Sequence, residues 1–136
     1  MALDLADRVA LAELAMVYVD AVNMRDEARW ANCWCPEARW HISSGELVGV
    51  DAIVEKWVGA MASFDRVVQL YGGIVVDEAA PGATEVTARV HFSEEIWQGD
   101  ERIVDRRFVY LDRCRRTEGG WRYLERQLNE SGWSVS

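Results

Sequence analysis

The sequence predicts an α+β domain, on three observations. Apolar side chains recur at helical spacing through residues 4–24 and again through 51–62. Four long stretches rich in β-branched and aromatic residues follow one another from Val67 to Asn129. The helical patterns come first and the strand patterns afterwards, a segregation typical of α+β folds rather than alternating α/β ones.

Each element has its own justification. In residues 4–24 one row holds Leu5, Val9, Ala12, Met16 and Val19, and the next holds Leu11, Leu14, Tyr18 and Val22. Together they make a stripe broad enough for a helix lying across the core. A shorter helix is predicted over Asp26–Cys35, with Trp30 and Trp34 four apart on one side and Pro36 ending it. Ala38–Ile42 reads as a short strand, with Trp40 and Ile42 on one face, His41 on the other, and Ser43-Ser44-Gly45 as the turn after it. The third helix covers 51–62, with Asp51 as its N-cap and Ile53, Val54, Trp57 and Met61 as its apolar side. The strands are Val67–Asp77, Thr84–Trp97, Arg102–Arg116 and Trp121–Asn129. They are separated by turns at Ala80-Pro81-Gly82-Ala83, Gln98-Gly99-Asp100 and Glu118-Gly119-Gly120.

Four consecutive long strands make an antiparallel meander the economical topology. Strands this long twist and curl, so the sheet is expected to be curved and mainly antiparallel. Three helices packed in its concave face would leave a dead-end cavity, where function belongs.

At 136 residues, residues 1–136 are expected to form a single domain with a sizeable core. A net charge of −8 argues against a nucleic-acid partner. Basic residues nevertheless concentrate between Arg102 and Arg126, interleaved with acidic ones in the manner of a solvated strand face. The first apolar run carries Asp4, Asp7, Arg8 and Glu13, which is unlike a signal peptide or a membrane span. Three cysteines, with Cys33 and Cys35 two apart, fit neither a disulfide framework nor a zinc spacing. The expectation is a cytoplasmic protein with reduced thiols, no metal and no membrane partner. No Gly-rich phosphate loop or nucleophile elbow occurs, so no cofactor is expected.

Residue chemistry then nominates a site. Phe108, Tyr110, Asp112 and Cys114 share one strand face, and a carboxyl among aromatic and apolar neighbours is expected to matter chemically. Tyr110 and Asp112 are therefore read as the floor of a pocket. Tyr18 lies inside the first helix's stripe, where its hydroxyl needs a partner, either backbone in the core or a ligand in the pocket. Trp34 and Trp40 are expected to contact a flat apolar ligand, with Met16 and Phe64 narrowing the mouth, whereas Trp57 and Trp121 suit the ordinary core.

The chain resembles the SnoaL-like branch of the nuclear transport factor 2-like superfamily over essentially its whole length. Tyr18-Val-Asp-Ala-Val-Asn23-Met-Arg-Asp26, Gly49-Val-Asp-Ala-Ile53, Tyr110-Leu-Asp112 and Gly119-Gly-Trp121-Arg carry the resemblance. That group includes ketosteroid isomerase, scytalone dehydratase and the polyketide cyclases, and its fold is a cone-like, cystatin-like barrel-sandwich. The resemblance puts Tyr18 and Asp112 where ketosteroid isomerase keeps the two donors to its enolate, a pair that is a standard case of carboxyl tuning. It also puts Ile42 at that enzyme's base, and Asn23 and, approximately, Gln69 at the aspartate–histidine dyad of the dehydratases, so both familiar bases are missing.

Two histidines remain as proton carriers. Aligned with the isomerase pattern, His91 falls where a side chain lines the pocket, which would turn Phe92 to the outer sheet surface. The other reading buries the apolar face of Val90 and Phe92 and leaves His91 on the surface. His41 reaches the pocket only through a bulge. The resulting expectation is a cofactor-independent lyase of dehydratase type, or an isomerase, acting on a small hydrophobic cyclic or aromatic hydroxy or oxo compound. His91 and His41 are its candidate proton carriers, with Tyr18 and Asp112 as acids or oxyanion donors. Trp34, Trp40, Asn23, Gln69 and Tyr110 are its candidate binding residues. The alternatives are a non-catalytic ligand binder or accessory protein, and an epoxide hydrolase built around Asp112 with Arg107 or Arg126. The resemblance and the outward Val109 and Leu111 together imply a homodimer.

Overall fold

A computed structural model of the chain describes residues 3–80 and 82–129. Helix α1 (Leu5–Asn23) opens on Asp4, whose side chain accepts the N–H of Asp7 at 2.8 Å and caps the first turn. It buries Leu11, Leu14, Tyr18 and Val22, but Leu5, Val9 and Met16 are exposed. Val19 of the first row is also buried, so the buried stripe is narrower than the apolar one but spans both rows, and Met16 does not narrow the mouth.

Helix α2 (Glu27–Ala31) is a short turn capped by Asp26. The chain is already extended in β1 (Trp34–Ile42), so Trp34 belongs to a strand and Pro36 lies within it. Pro36 is tolerated because β1 pairs with β6 (Gly120–Asn129) through a register shift between Trp34 and Arg39. A strand the sequence pattern did not separate, β2 (Gly45–Val48), folds back on β1 through the Ser43-Ser44 turn. Helix α3 (Val50–Ala62) starts one residue before Asp51. Its N-cap is Gly49 at φ +89°, a left-handed conformation that costs glycine little.

The meander follows as β3 (Arg66–Val76), β4 (Glu85–Gln98), β5 (Glu101–Thr117) and β6. In the predicted turn between β3 and β4, the Ala83 N–H reaches the Ala80 carbonyl at 3.0 Å, while Pro81 lies outside the described residues. The sheet order is β2-β1-β6-β5-β4-β3, antiparallel throughout except for the parallel β1–β6 pair. The fold is therefore α+β, three helices against a six-stranded sheet.

Its core is aromatic. Tyr18 from α1 meets Trp30, Trp34, Phe92, Tyr110 and Tyr123, all with ring centroids within 6.4 Å. Trp30 stacks on Trp57 of α3 at 4.6 Å. Rings of this size bury much area per residue, which lets a small domain close around a wide sheet. No helix among the described residues is long and apolar enough to cross a membrane.

Candidate functional site

A cavity of about 200 Å³ lies between α1, α3, the end of β1 and the inner face of β3–β5. Tyr18 and Val22 reach it from α1, Trp57 and Met61 from α3, and Trp40 and Ile42 from β1. The sheet contributes Gln69, Glu94, Arg106, Phe108 and Tyr110, and Phe64 also reaches the rim. An apolar cavity of about 150 Å³ accepts benzene, so this one suits a single ring with a substituent or two.

Strand alternation explains the polar part of the lining. Gln69, Glu94 and Arg106 are successive cross-strand partners on β3, β4 and β5, so their side chains form one row across the inner face. Gln69 Nε2 donates to Glu94 Oε2 at 2.8 Å, and Arg106 Nε and Nη2 meet Glu94 Oε1 at 2.9 and 2.7 Å. Glu94 is only 6% exposed. Both oxygens of this deep carboxylate are engaged, one by the Gln69 amide and the other by the Arg106 guanidinium. With Ile42 also facing the cavity, Glu94 is the carboxylate among its lining residues.

The phenols form the second polar group. Trp40 Nε1 donates to Tyr110 Oη at 3.1 Å, and the Tyr18 ring packs edge-on against Tyr110 with centroids 6.4 Å apart. Indole can only donate, so Tyr110 is the acceptor in this bond and its own O–H is not spent on it. Burial pushes both phenols above the ordinary tyrosine value, well above for Tyr18, so they stay protonated across neutral pH. The phenols can offer a fixed donor to an oxygen that gains negative charge.

Four of the nine nominated residues therefore reach the cavity: Tyr18, Trp40, Gln69 and Tyr110. Asn23 does not. Its side-chain amide donates to the Gln69 carbonyl at 2.8 Å and accepts the Gln69 N–H at 2.7 Å, which pins α1 to β3. Trp34 is 1% exposed and packs against Trp30, Trp40 and Tyr123, a core residue rather than a ligand contact. Trp57 is buried in the core as expected, stacked on Trp30, and its ring also lines the cavity.

Asp112 points inward as expected but lies apart from the cavity lining, in a bidentate ion pair with Arg126 at 2.7 and 2.9 Å. Both side chains are fully buried. Burial pushes the Asp112 carboxyl up while Arg126 pulls it back. The guanidinium lies over Tyr123 at 3.8 Å, Tyr110 at 4.1 Å and Tyr18 at 4.5 Å. Asp112 thus carries the cation that the aromatic core encloses. Of the two arginines considered for an epoxide hydrolase, Arg126 does meet Asp112 but outside the cavity lining, while Arg107 faces away and pairs with Asp105 at 2.7 Å.

The histidine expectations are corrected. His91 lies between Val90 and Phe92, which are 0% and 3% exposed and face the core, so its imidazole is on the opposite, convex side. There it borders a shallow groove with Leu70, Ser93, Arg107 and Val109. Phe92, in turn, is not an outer-surface residue. His41 turns away from the cavity, as alternation with Trp40 and Ile42 requires, and lies between Glu125 at 2.6 Å and Glu46 at 3.2 Å. Sequence reading missed Glu94 and Arg106, although parity with Phe92 and Phe108 marks both as inward.

The sequence profile of the SnoaL-like domain family matches residues 3–127. No functionally curated protein matches the chain. Among solved structures, a candidate aromatic ring hydroxylase from Novosphingobium aromaticivorans superposes with a TM-score of 0.86 at 20% identity, over 98% of this chain and 96% of that one. A candidate scytalone dehydratase from the same organism gives 0.81 at 18% identity, over 97% and 89%. The hexachlorocyclohexane dehydrochlorinase LinA-type3 from Novosphingobium barchaimii gives 0.81 at 17%, over 96% and 90%. At these identities the likeness is one of fold, which hosts several chemistries.

Proposed function

We propose a cofactor-independent lyase or isomerase activity for this chain, which belongs to the SnoaL-like domain family. The substrate is a single-ring hydroxy or oxo compound. One observation carries the reading: a buried carboxylate and a pair of protonated phenols border the same largely apolar cavity. Glu94 takes a proton from a ring carbon beside a carbonyl, and a phenolic O–H of the Tyr18–Tyr110 pair donates to the oxygen where charge develops. Protonated Glu94 then returns its proton. Delivered to another carbon, the proton completes a double-bond migration. Delivered to a departing hydroxyl, it completes a dehydration. Solved structures of the same fold described as a candidate dehydratase and a dehydrochlorinase support an elimination within this range.

The chemistry needs no histidine, which answers the loss of His91 from the cavity. Positioned acid–base groups contribute ~10²–10⁴-fold and oxyanion donors a similar factor. The test is a panel of single-ring hydroxyketones incubated in D₂O and followed by NMR for deuterium uptake, double-bond movement or loss of water. Glu94→Gln should slow the active case by about two orders of magnitude or more. Equal rates in wild type and Glu94→Gln would remove Glu94 from the mechanism.

A second reading, a non-catalytic binder, rests on the same row of residues. Arg106 and Gln69 already engage both oxygens of Glu94, and a carboxylate so held suits ligand recognition as well as proton transfer. Tight binding of panel members with no exchange or turnover would favour it. We further propose that two copies of the chain pair through the convex sheet face, where Leu70, Val75 and Leu111 are exposed, with the small-molecule ligand as the other partner. The site requires no cofactor under either reading, and a cytoplasmic location remains part of the proposal.

A further inference from the structure

The amide of Gln69 has a polarity fixed by its neighbours. Glu94 is an acceptor-only carboxylate held by Arg106, so the Gln69 group facing it must be the NH₂. Reversing the amide would set two oxygens against each other. Gln69 Oε1 therefore points away from Glu94, and it is buried without a hydrogen-bond partner among the described residues. Gln69 itself is 6% exposed and lines the cavity. A buried acceptor left unpaired is costly, and a ligand that supplies a donor relieves that cost.

The main chain at this position is held independently, because Asn23 bonds both the N–H and the C=O of Gln69. The side chain is thus an amide on a clamped backbone, with its donor end occupied and its acceptor end unused. The phenol pair offers the complementary group, one O–H donor from Tyr18 or Tyr110.

We infer that Gln69 is a specificity-determining residue whose Oε1 accepts a hydrogen bond from the ligand, so the cavity takes rings that carry a hydroxyl or N–H donor. Rings in which that position is methylated or bare are rejected. In the lyase reading on which this rests, the substrate is a ring hydroxyketone, whose hydroxyl meets Gln69, rather than a simple ketone or ether.

The test uses three probes of similar size, phenol, anisole and toluene, titrated into the wild-type protein and into Gln69→Met by ¹H–¹⁵N chemical-shift mapping. The wild type should bind phenol about tenfold or more tighter than anisole or toluene. Gln69→Met, which keeps the length and the backbone clamp but loses the amide oxygen, should bring the three affinities within about threefold of one another. If Gln69→Met fails to fold, Glu94→Gln is the second variant. Its amide no longer dictates which end of Gln69 faces it, so the phenol preference should again shrink. Phenol selectivity that survives in the folded variant overturns the inference and leaves the proposed activity standing. Failure of all three probes to shift any cavity residue of the wild type counts against both.

Discussion

Replacing Arg126 with Met strands Asp112 in the core, and the cost can be worked out from the structure. Both side chains are fully buried, and Arg126 supplies the two hydrogen bonds to the carboxylate, at 2.7 and 2.9 Å. Breaking such a pair from one side typically costs ~3–5 kcal/mol. Protonation sets a ceiling on the electrostatic part. Holding Asp112 neutral at pH 7, against an ordinary value of 3.8 in the unfolded chain, costs about 4.4 kcal/mol at about 1.36 kcal/mol per pH unit. The two estimates agree, so Arg126→Met should lose roughly 4 kcal/mol, or about 10–16 °C in Tm for a domain of this size.

The sign of the pH dependence is specific. With its cation gone, Asp112 has a folded-state pKa raised above 3.8, so the native variant binds a proton that the unfolded chain releases. Its deficit against wild type should then shrink by up to about 1.4 kcal/mol for each pH unit between 7 and about 4. Urea denaturation followed by tryptophan fluorescence reads both effects. The double variant Arg126→Met/Asp112→Leu should recover most of the loss, because the buried charge is gone along with its partner. A single-variant loss under about 1 kcal/mol, or one that does not change with pH, would refute the assignment of Asp112 as counter-ion to Arg126.

The remaining predictions concern the clamp, the N-terminus and the convex face. Asn23→Leu removes both bonds between α1 and the Gln69 backbone and should cost about 1–3 kcal/mol in urea denaturation; a neutral result would show that the clamp does not hold the cavity wall. Asp7 binds Arg116 through both oxygens and Trp121 through one, and these bonds lower its carboxyl from 3.8 to about 2. Its stabilisation is present above the unfolded value and fades as pH falls through the folded one, so wild type and Asp7→Asn should differ at neutral pH and converge between about pH 4 and 2 in thermal melts. Leu111→Glu places a charge on the convex face and should convert a dimer to a monomer in sedimentation velocity; a wild-type monomer would remove the pairing proposal.

Much of the architecture was legible in the chain because periodicity survives folding. The helix over 4–24, the helix over 51–62 and the four long strands were read to within a residue or two, since each carries a sustained pattern. The stretch around Trp34 was misread because two tryptophans four apart mimic a helical face and Pro36 mimics a helix stop. Only the tertiary pairing of β1 with β6, through its register shift, makes that segment a strand.

The site was half legible for a related reason. Tyr18, Tyr110 and Trp40 were found from side-chain chemistry and face, but His91 was placed by analogy with a relative's pattern instead of by register. In the antiparallel β4–β5 pair Phe92 lies opposite Phe108 and Val90 opposite Tyr110, so the two apolar faces must share the core and His91 must oppose them. The same parity brings Glu94 and Arg106 inward. A lone carboxylate on the Val90–Phe92 face was the signal for the site, and the search for a histidine passed over it. Gln69 was nominated for what it replaces, whereas its polarity could be read only once its two partners were in view.

Chemical-shift mapping of phenol on the wild-type protein, with the imidazole signals of His91 and His41 followed in the same samples, tests the central claim most directly. The account predicts the largest changes at Tyr18, Trp40, Gln69, Glu94 and Tyr110, with both imidazoles unmoved. Shifts centred on His91 and its convex-face neighbours Leu70, Arg107 and Val109, with the interior row silent, would contradict it.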